Sequence, residues 1–267
     1  PLRFRVADYP PLLKFSGDFG LVERMAGGLL PLTVRNLEAG AEAGTAAKVR
    51  WVRVTDDTAI LAWQARVKKI DNPEFDPQTH RQRETRHAQL LGDWEAGVVE
   101  RALPKPSGAR AFEVVGIPLP QPGFYVVEAE SRRLGKSLLG QNVPMFVRTT
   151  ALVTNLGVHF KWGAGASLAW VTRLDLGTPV AAAAVAVRDC KGKLFAQART
   201  DAKGMSLIPR GLPDPRGAEY DCPLFVSARL GDDLAFARSN WDEGIETWRF
   251  GLPEAWIALV LGVDHLL

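Results

Sequence analysis

The chain has 267 residues, enough for one large or two ordinary domains with a real core, and its 46% hydrophobic and 24% charged residues exclude a disordered chain. A formal charge of +3, with no concentrated basic stripe, argues against a nucleic-acid surface. The two cysteines, Cys190 and Cys222, lie outside any Cys-x-x-Cys pair and so argue against a zinc ribbon or a thioredoxin-type site.

The chain opens at Pro1 without an initiator methionine, signal peptide or transit peptide, and reads as a processed fragment. Leu2 to Val6 alternates apolar and basic residues, and Val49 to Val54 and Ala59 to Val67 do so less strictly. In a half-buried strand such alternation puts one set of side chains on the core and the other in water. Thr79 to Leu91 lacks that pattern and is rich in Arg, Gln and Glu. It is read as a short exposed helix, with Pro77 before its start and Gly92 after its end.

Further strands are predicted at Phe112 to Leu119, Gly123 to Glu130, Met145 to Val153, Gly157 to Trp162 and Ser167 to Leu174. The series continues through Ala181 to Arg188, Leu194 to Thr200, Gly204 to Pro209, Leu224 to Leu230 and Asp233 to Ser239. Short strands divided by Gly, Pro and Asp turns argue for sandwiches rather than a βαβ fold. Asp175 to Pro179 and Asp201 to Gly204 are turn signals, in which Gly supplies positive φ and Asp closes the turn. The prolines between Ile117 and Gly123 predict a stiff, edge-like entry into the next strand. Residues 131–144 interrupt the pattern and place a domain boundary there, giving domains at 1–140 and 141–250 and a remainder at 251–267. Trp256 to Val263 is apolar but too short to cross a membrane, and Asp264 and His265 close it.

Candidate chemistry is sparse. His80, Glu84 and His87 would share a helical face and could ligate zinc, but three arginines in the same segment oppose a cation. A solvated helix is the preferred reading, and no metal or cofactor is expected. The acid pairs Asp56-Asp57, Asp232-Asp233 and Asp242-Glu243 are assigned to turns and hairpin ends. His159 is read as an ordinary strand histidine. Trp51, Trp63, Trp162 and Trp170 are assigned to cores or to the space between domains. No nucleophile elbow, Walker loop, dinucleotide fingerprint or His-Glu-x-x-His occurs. Cys190 and Cys222 are compatible with one disulfide in an oxidising compartment or with two unrelated core thiols.

The stretch Met145 to Gly163, followed by Ser167 to Asp175, Val185 to Cys190, Thr200 to Gly204, Phe225 to Arg229 and Asp232 to Phe236, resembles a macroglobulin-like domain of bacterial α2-macroglobulins. The first half, in Phe15 to Glu23 and Leu30 to Glu38, resembles the preceding domain of the same proteins. The resemblance implies an all-β fold of tandem antiparallel sandwiches with fibronectin- or immunoglobulin-like architecture and one short helical insertion in the first. It also implies a Cys190–Cys222 disulfide. The implied setting is a periplasmic protease inhibitor, with an upstream segment anchoring it to the inner membrane.

No thioester motif or bait region is recognisable, so no catalytic residue is carried over and a non-catalytic scaffold is expected. Its implied partners are proteases, through the parent protein, and neighbouring macroglobulin-like domains. The alternative is a binding module that docks an envelope protein through Arg81, Arg83 and Arg86 or through the stretch Pro118 to Pro122.

Overall fold

The structure, a computed structural model, describes residues 9–38, 46–72, 74–76, 80–83, 87–104, 112–214 and 222–241. The N-terminal part opens with β1 (Leu12–Phe15), β2 (Phe19–Glu23) and β3 (Leu29–Arg35). Next come β4 (Lys48–Val54), helix α1 (Asp57–Asp71) and a ribbon of β5 (Glu74–Asp76) and β6 (Arg81–Arg83). β7 (Val99–Ala102), β8 (Glu113–Pro118), β9 (Gly123–Ser131), α2 (Arg132–Leu138) and β10 (Met145–Thr154) follow. The remaining elements among the described residues are strands: β11 (Leu156–Lys161), β12 (Ala166–Arg173), β13 (Ala184–Arg188), β14 (Leu194–Arg199), β15 (Met205–Pro209), β16 (Phe225–Leu230) and β17 (Asp233–Arg238).

These strands build two sandwiches. The first sets the sheet β1-β3-β8 against β2-β10-β9-β4-β7, in which β2 runs parallel to β10 and the other pairs are antiparallel. The second sets β11-β12-β15 against β14-β13-β16-β17. The all-β tandem sandwich expected from the sequence is the fold observed.

Period-two burial makes each core. Leu30, Leu32 and Val34 of β3 point inward to meet Val49 and Trp51 of β4 and Tyr125 and Val127 of β9. β9 is buried on both faces, and so reads as an unbroken apolar run rather than an alternation. Its other face carries Phe124 and Val126 into a second core shared with Ile60 and Leu61 of α1. That core continues without interruption into Val171, Val185, Phe225 and Phe236 of the second sandwich.

The structure corrects two readings of the sequence. Ala59 to Val67 is not a strand but the body of α1. Ile60, Trp63, Val67 and Ile70 recur at helical spacing against the second core, a stripe hidden beneath an accidental alternation. The helix proposed over Thr79 to Leu91 is absent from its described residues, because Arg81–Arg83 forms β6. The ladder sets Arg81 opposite Asp76 and Arg83 opposite Glu74, a pairing that local pattern does not encode. The interruption after Ser131 is α2, capped by the Ser131 hydroxyl, which accepts from Leu134 N at 3.0 Å. A Cβ at Gly135 in that helix would lie 1.9 Å from the Val143 carbonyl oxygen, so only glycine allows this approach. β10, which follows α2, pairs with β9 and with β2.

The predicted turns behave as their chemistry requires. Gly177 and Gly204 have φ of 64° and 73°, and the Asp201 carboxylate accepts from Lys203 N at 2.8 Å and Met205 N at 2.9 Å. The predicted strand Leu2 to Val6, the pair Asp242-Glu243 and the stretch 251–267 lie outside the described residues.

Candidate functional site

The second residue of the acid pair at the start of α1 leaves its own helix. Asp56 caps α1, accepting from Ala59 N at 2.9 Å and from the Thr58 hydroxyl. The Thr58 hydroxyl first, and then the Ala59 N–H, hold the Asp56 carboxyl below the usual carboxylate range. Asp57 is buried and reaches into the second sandwich. Its Oδ1 accepts from Arg229 Nη2 at 2.5 Å, and its Oδ2 from Ser227 Oγ at 2.7 Å and Arg188 Nε at 3.3 Å. Arg229 also donates to the Thr55 carbonyl at 2.6 Å, which ties the segment before α1 to β16. Beside this cluster a trough of about 480 Å³ opens over the outer face of β14, β13 and β16.

Two more buried carboxylates hold the frame around it. Glu128, on β9, accepts from the backbone N–H groups of Leu90 at 2.8 Å and Leu91 at 3.0 Å. Directly across the ladder, Arg148 of β10 reaches Glu128 Oε2 at 3.2 Å and Asp71 Oδ1 at 2.6 Å. Burial pushes the Glu128 carboxyl up, against the pull of the Leu91 and Leu90 N–H groups and of Arg148. Asp233 fixes the joint between the sandwiches, accepting from Thr154 Oγ1 at 2.7 Å and from Asn155 N at 3.0 Å. Each of these carboxylates is held by partners within the fold. The three clusters join and brace.

The family model for the bacterial alpha-2-macroglobulin MG3 domain matches residues 153–257. Residues 153–257 are similar to a bacterial α2-macroglobulin domain. The fold extends the likeness to the first sandwich. A fragment of native alpha-2-macroglobulin from Escherichia coli spanning domains NIE-MG1 superposes with a TM-score of 0.53 at 14% identity, over 88% of this chain and 99% of that one. A fragment spanning MG0-NIE-MG1 gives 0.52 at 16% identity, over 89% of this chain and 66% of that one. Trypsin-activated alpha-2-macroglobulin from E. coli gives 0.54 at 16% identity, over 86% of this chain but only 14% of that much longer one. A comparison with curated protein sequences gives no significant match.

Within the matched residues Cys190 and Cys222 form a disulfide with Cα atoms 5.0 Å apart. It ties the turn after β13 to the segment leading into β16. Arg81 and Arg83 lie on β6, and Arg86 lies outside the described residues, so the three do not form one helical basic face. His80 sits in a turn with φ of 52°, Glu84 is outside the described residues, and the helical ligand set with His87 does not form. Among the described residues there is no group of three or more His, Cys, Asp or Glu able to hold a metal ion.

Of the four tryptophans assigned to cores, Trp51 of β4 is buried, and Trp63 of α1 and Trp162 just after β11 are half-buried. Trp170 is exposed, donating from Nε1 to the Lys203 carbonyl at 3.1 Å with His159 against its ring. The acid pairs divide as expected in one member only. Asp56 and Asp232 occupy a cap and a hairpin end, while Asp57 and Asp233 are buried anchors that the turn reading missed. Arg148, the one charge in the apolar-and-threonine strand β10, and Glu128, inside the apolar run of β9, were the available signals, because a charge in such a run demands a buried partner.

Proposed function

We propose that this chain is a non-catalytic scaffold segment of a bacterial α2-macroglobulin-like protease inhibitor acting in the cell envelope. The match of residues 153–257 to the α2-macroglobulin domain carries the reading. The welded architecture supports it. A core shared by both sandwiches, and carboxylates spanning their junction, make a rigid strut rather than a pair of loosely tethered modules. The disulfide suits export to an oxidising compartment such as the periplasm. We place the division between the modules at the Thr154–Leu156 joint. The neighbours of this strut would be further macroglobulin-like domains of the same parent, and proteases would be met by the parent as a whole.

The test compares this chain with its full-length parent. Trypsin digestion of a protein substrate is followed with each added in excess. The parent is expected to suppress digestion, while the chain alone neither suppresses it nor hydrolyses peptide substrates. Hydrolysis by the chain itself would end the scaffold reading, and an inert parent would end the inhibitory one.

A further inference from the structure

We propose that the outer face of the sheet β11-β12-β15 is a docking surface for a neighbouring domain of the same polypeptide, one that presents apolar side chains and a carboxylate. The inference rests on the reading that the chain is a segment of a longer parent, and not on protease inhibition.

The strand registers set the face out in rows. Trp170 of β12 lies between His159 of β11 and Met205 of β15, and Leu168 lies between Lys161 and Leu207. Ala166 opposite Pro209 continues the face. The alternate residues Ser167, Ala169, Val171, Ser206 and Ile208 are buried in the second sandwich, so these rows point away from its core. An antiparallel sheet with one face in water normally carries polar residues there. This face instead carries Trp170 at 37%, Met205 at 39% and Leu207 at 69% exposure, with Leu168 half-buried among them. None of the side chains in these rows is acidic, and Lys161 and His159 alone are ionisable.

The tryptophan at the centre of the face is held in place before anything covers it. Its Nε1 donates to the Lys203 carbonyl at 3.1 Å, and the His159 ring lies 5.2 Å from its own. An anchor ordered in advance loses little side-chain freedom on docking. The sequence assigned Trp170 to a core or to the space between domains, and its exposure leaves only the second.

Size and charge select the occupant. Three strands about 4.8 Å apart, each giving about five residues of about 3.3 Å, make a patch of about 240 Å². A free partner or a second copy needs about 800 Å² on each side for a stable interface. A surface carried on the same polypeptide needs far less, because linkage holds it at an effective concentration of about a millimolar. A parent as long as the E. coli relative of which this chain covers 14% would carry most of its domains outside the chain. The two sandwiches here already join in this manner, with the apolar second face of β9 covered by the other module. Anionic lipid is a poorer match, since its recognition uses clusters of about four to eight Lys or Arg, and these rows hold Lys161 alone. Lys161, exposed at the edge, would instead meet a carboxylate of the covering domain.

The test follows oxidation of the three methionines by hydrogen peroxide, read by peptide mass spectrometry, in this chain alone and in its full-length parent. In the chain, Met25 is 68% exposed and Met145 is buried, so the two bracket Met205. In the parent, Met205 is expected to oxidise at least tenfold more slowly than in the chain. Leu207→Glu, a change at an exposed position, is expected to restore the faster rate in the parent and to leave the chain's thermal unfolding midpoint where it was. Equal Met205 rates in wild-type parent and chain would overturn the proposal, with no variant needed, and so would protection that Leu207→Glu leaves intact. Slowing in the isolated chain that grows with its concentration would overturn it in favour of a second copy. Slowing in the parent that appears only with phosphatidylglycerol vesicles would overturn it in favour of a membrane. A parent that suppresses trypsin while Met205 stays reactive defeats this inference alone, and an inert parent with Met205 protected supports it.

Discussion

At the scale of single residues, the interior of this protein is organised around acids that a hydrophobic count would not place there. Glu128 is almost wholly buried, yet it serves two backbone N–H groups as well as Arg148. Glu128→Ala would strand a buried guanidinium and two amides together, so a loss of about 3–5 kcal/mol is expected in urea unfolding. Replacing Glu128 and Arg148 together by apolar residues should recover only part of that loss, because the amides of Leu90 and Leu91 stay unpaired. Full recovery would show that the amides find other acceptors. The titration of Glu128 gives a second check. Since burial raises its folded value, the native state takes up this proton before the unfolded chain does. Its contribution is then fully present below the unfolded value of about 4.3 and is lost as pH rises through the folded one. The stability margin of the wild type over Glu128→Gln should therefore widen as pH is lowered toward about 4.3, and the opposite slope would mean that the ion pair outweighs burial.

At the scale of elements, what could be read from the sequence depended on whether one local pattern was the whole signal. The strands of the second sandwich are short, alternate cleanly and are separated by Asp-Gly turns, and they lie where the sequence placed them. Helix α1 was missed because Ala59 to Val67 satisfies a strand template by chance, while its buried stripe of Ile60, Trp63, Val67 and Ile70 needs a longer window. The cap was present in the sequence and decided the matter: Asp56, followed by Thr58 and Ala59, supplies an acceptor for the first free amides. β6 was illegible for the opposite reason, since its stability comes from the register with β5 rather than from its own composition. For α1, Asp56→Ala should cost about 1 kcal/mol, and Asp56→Asn much less, because Asn also caps. The two substitutions separate by pH. The Asp56 carboxyl is lowered in the fold, so its contribution is present above the unfolded value of about 3.9 and is lost as pH falls through the folded one. Wild type and Asp56→Asn, followed by circular dichroism, should converge in stability as pH falls below about 4. Parallel curves across that window would remove the carboxylate from the account of the cap.

At the scale of the whole molecule, the two sandwiches share an interior, and this decides how the protein should unfold. The sequence suggested two separable domains because strand patterns report faces, not what covers them. The second face of β9 gave no sign that its cover includes another module. Phe236, on β17, shows the coupling most directly. Its ring lies 4.8 Å from Phe225 in its own sandwich and 6.0 Å from Phe124 and 6.1 Å from Phe19 in the other. Removing it opens a void that neither sandwich can close alone, so Phe236→Ala should cost about 3–5 kcal/mol. If the modules unfold as one unit, that loss must appear equally in both. Native-state hydrogen exchange on peptides covering β4 and β13, which lie in different sandwiches, is expected to show the same decrease in opening free energy. Domains that fold independently would instead confine the loss to β13 and leave β4 protected as in the wild type. That pattern would turn the strut into a hinge.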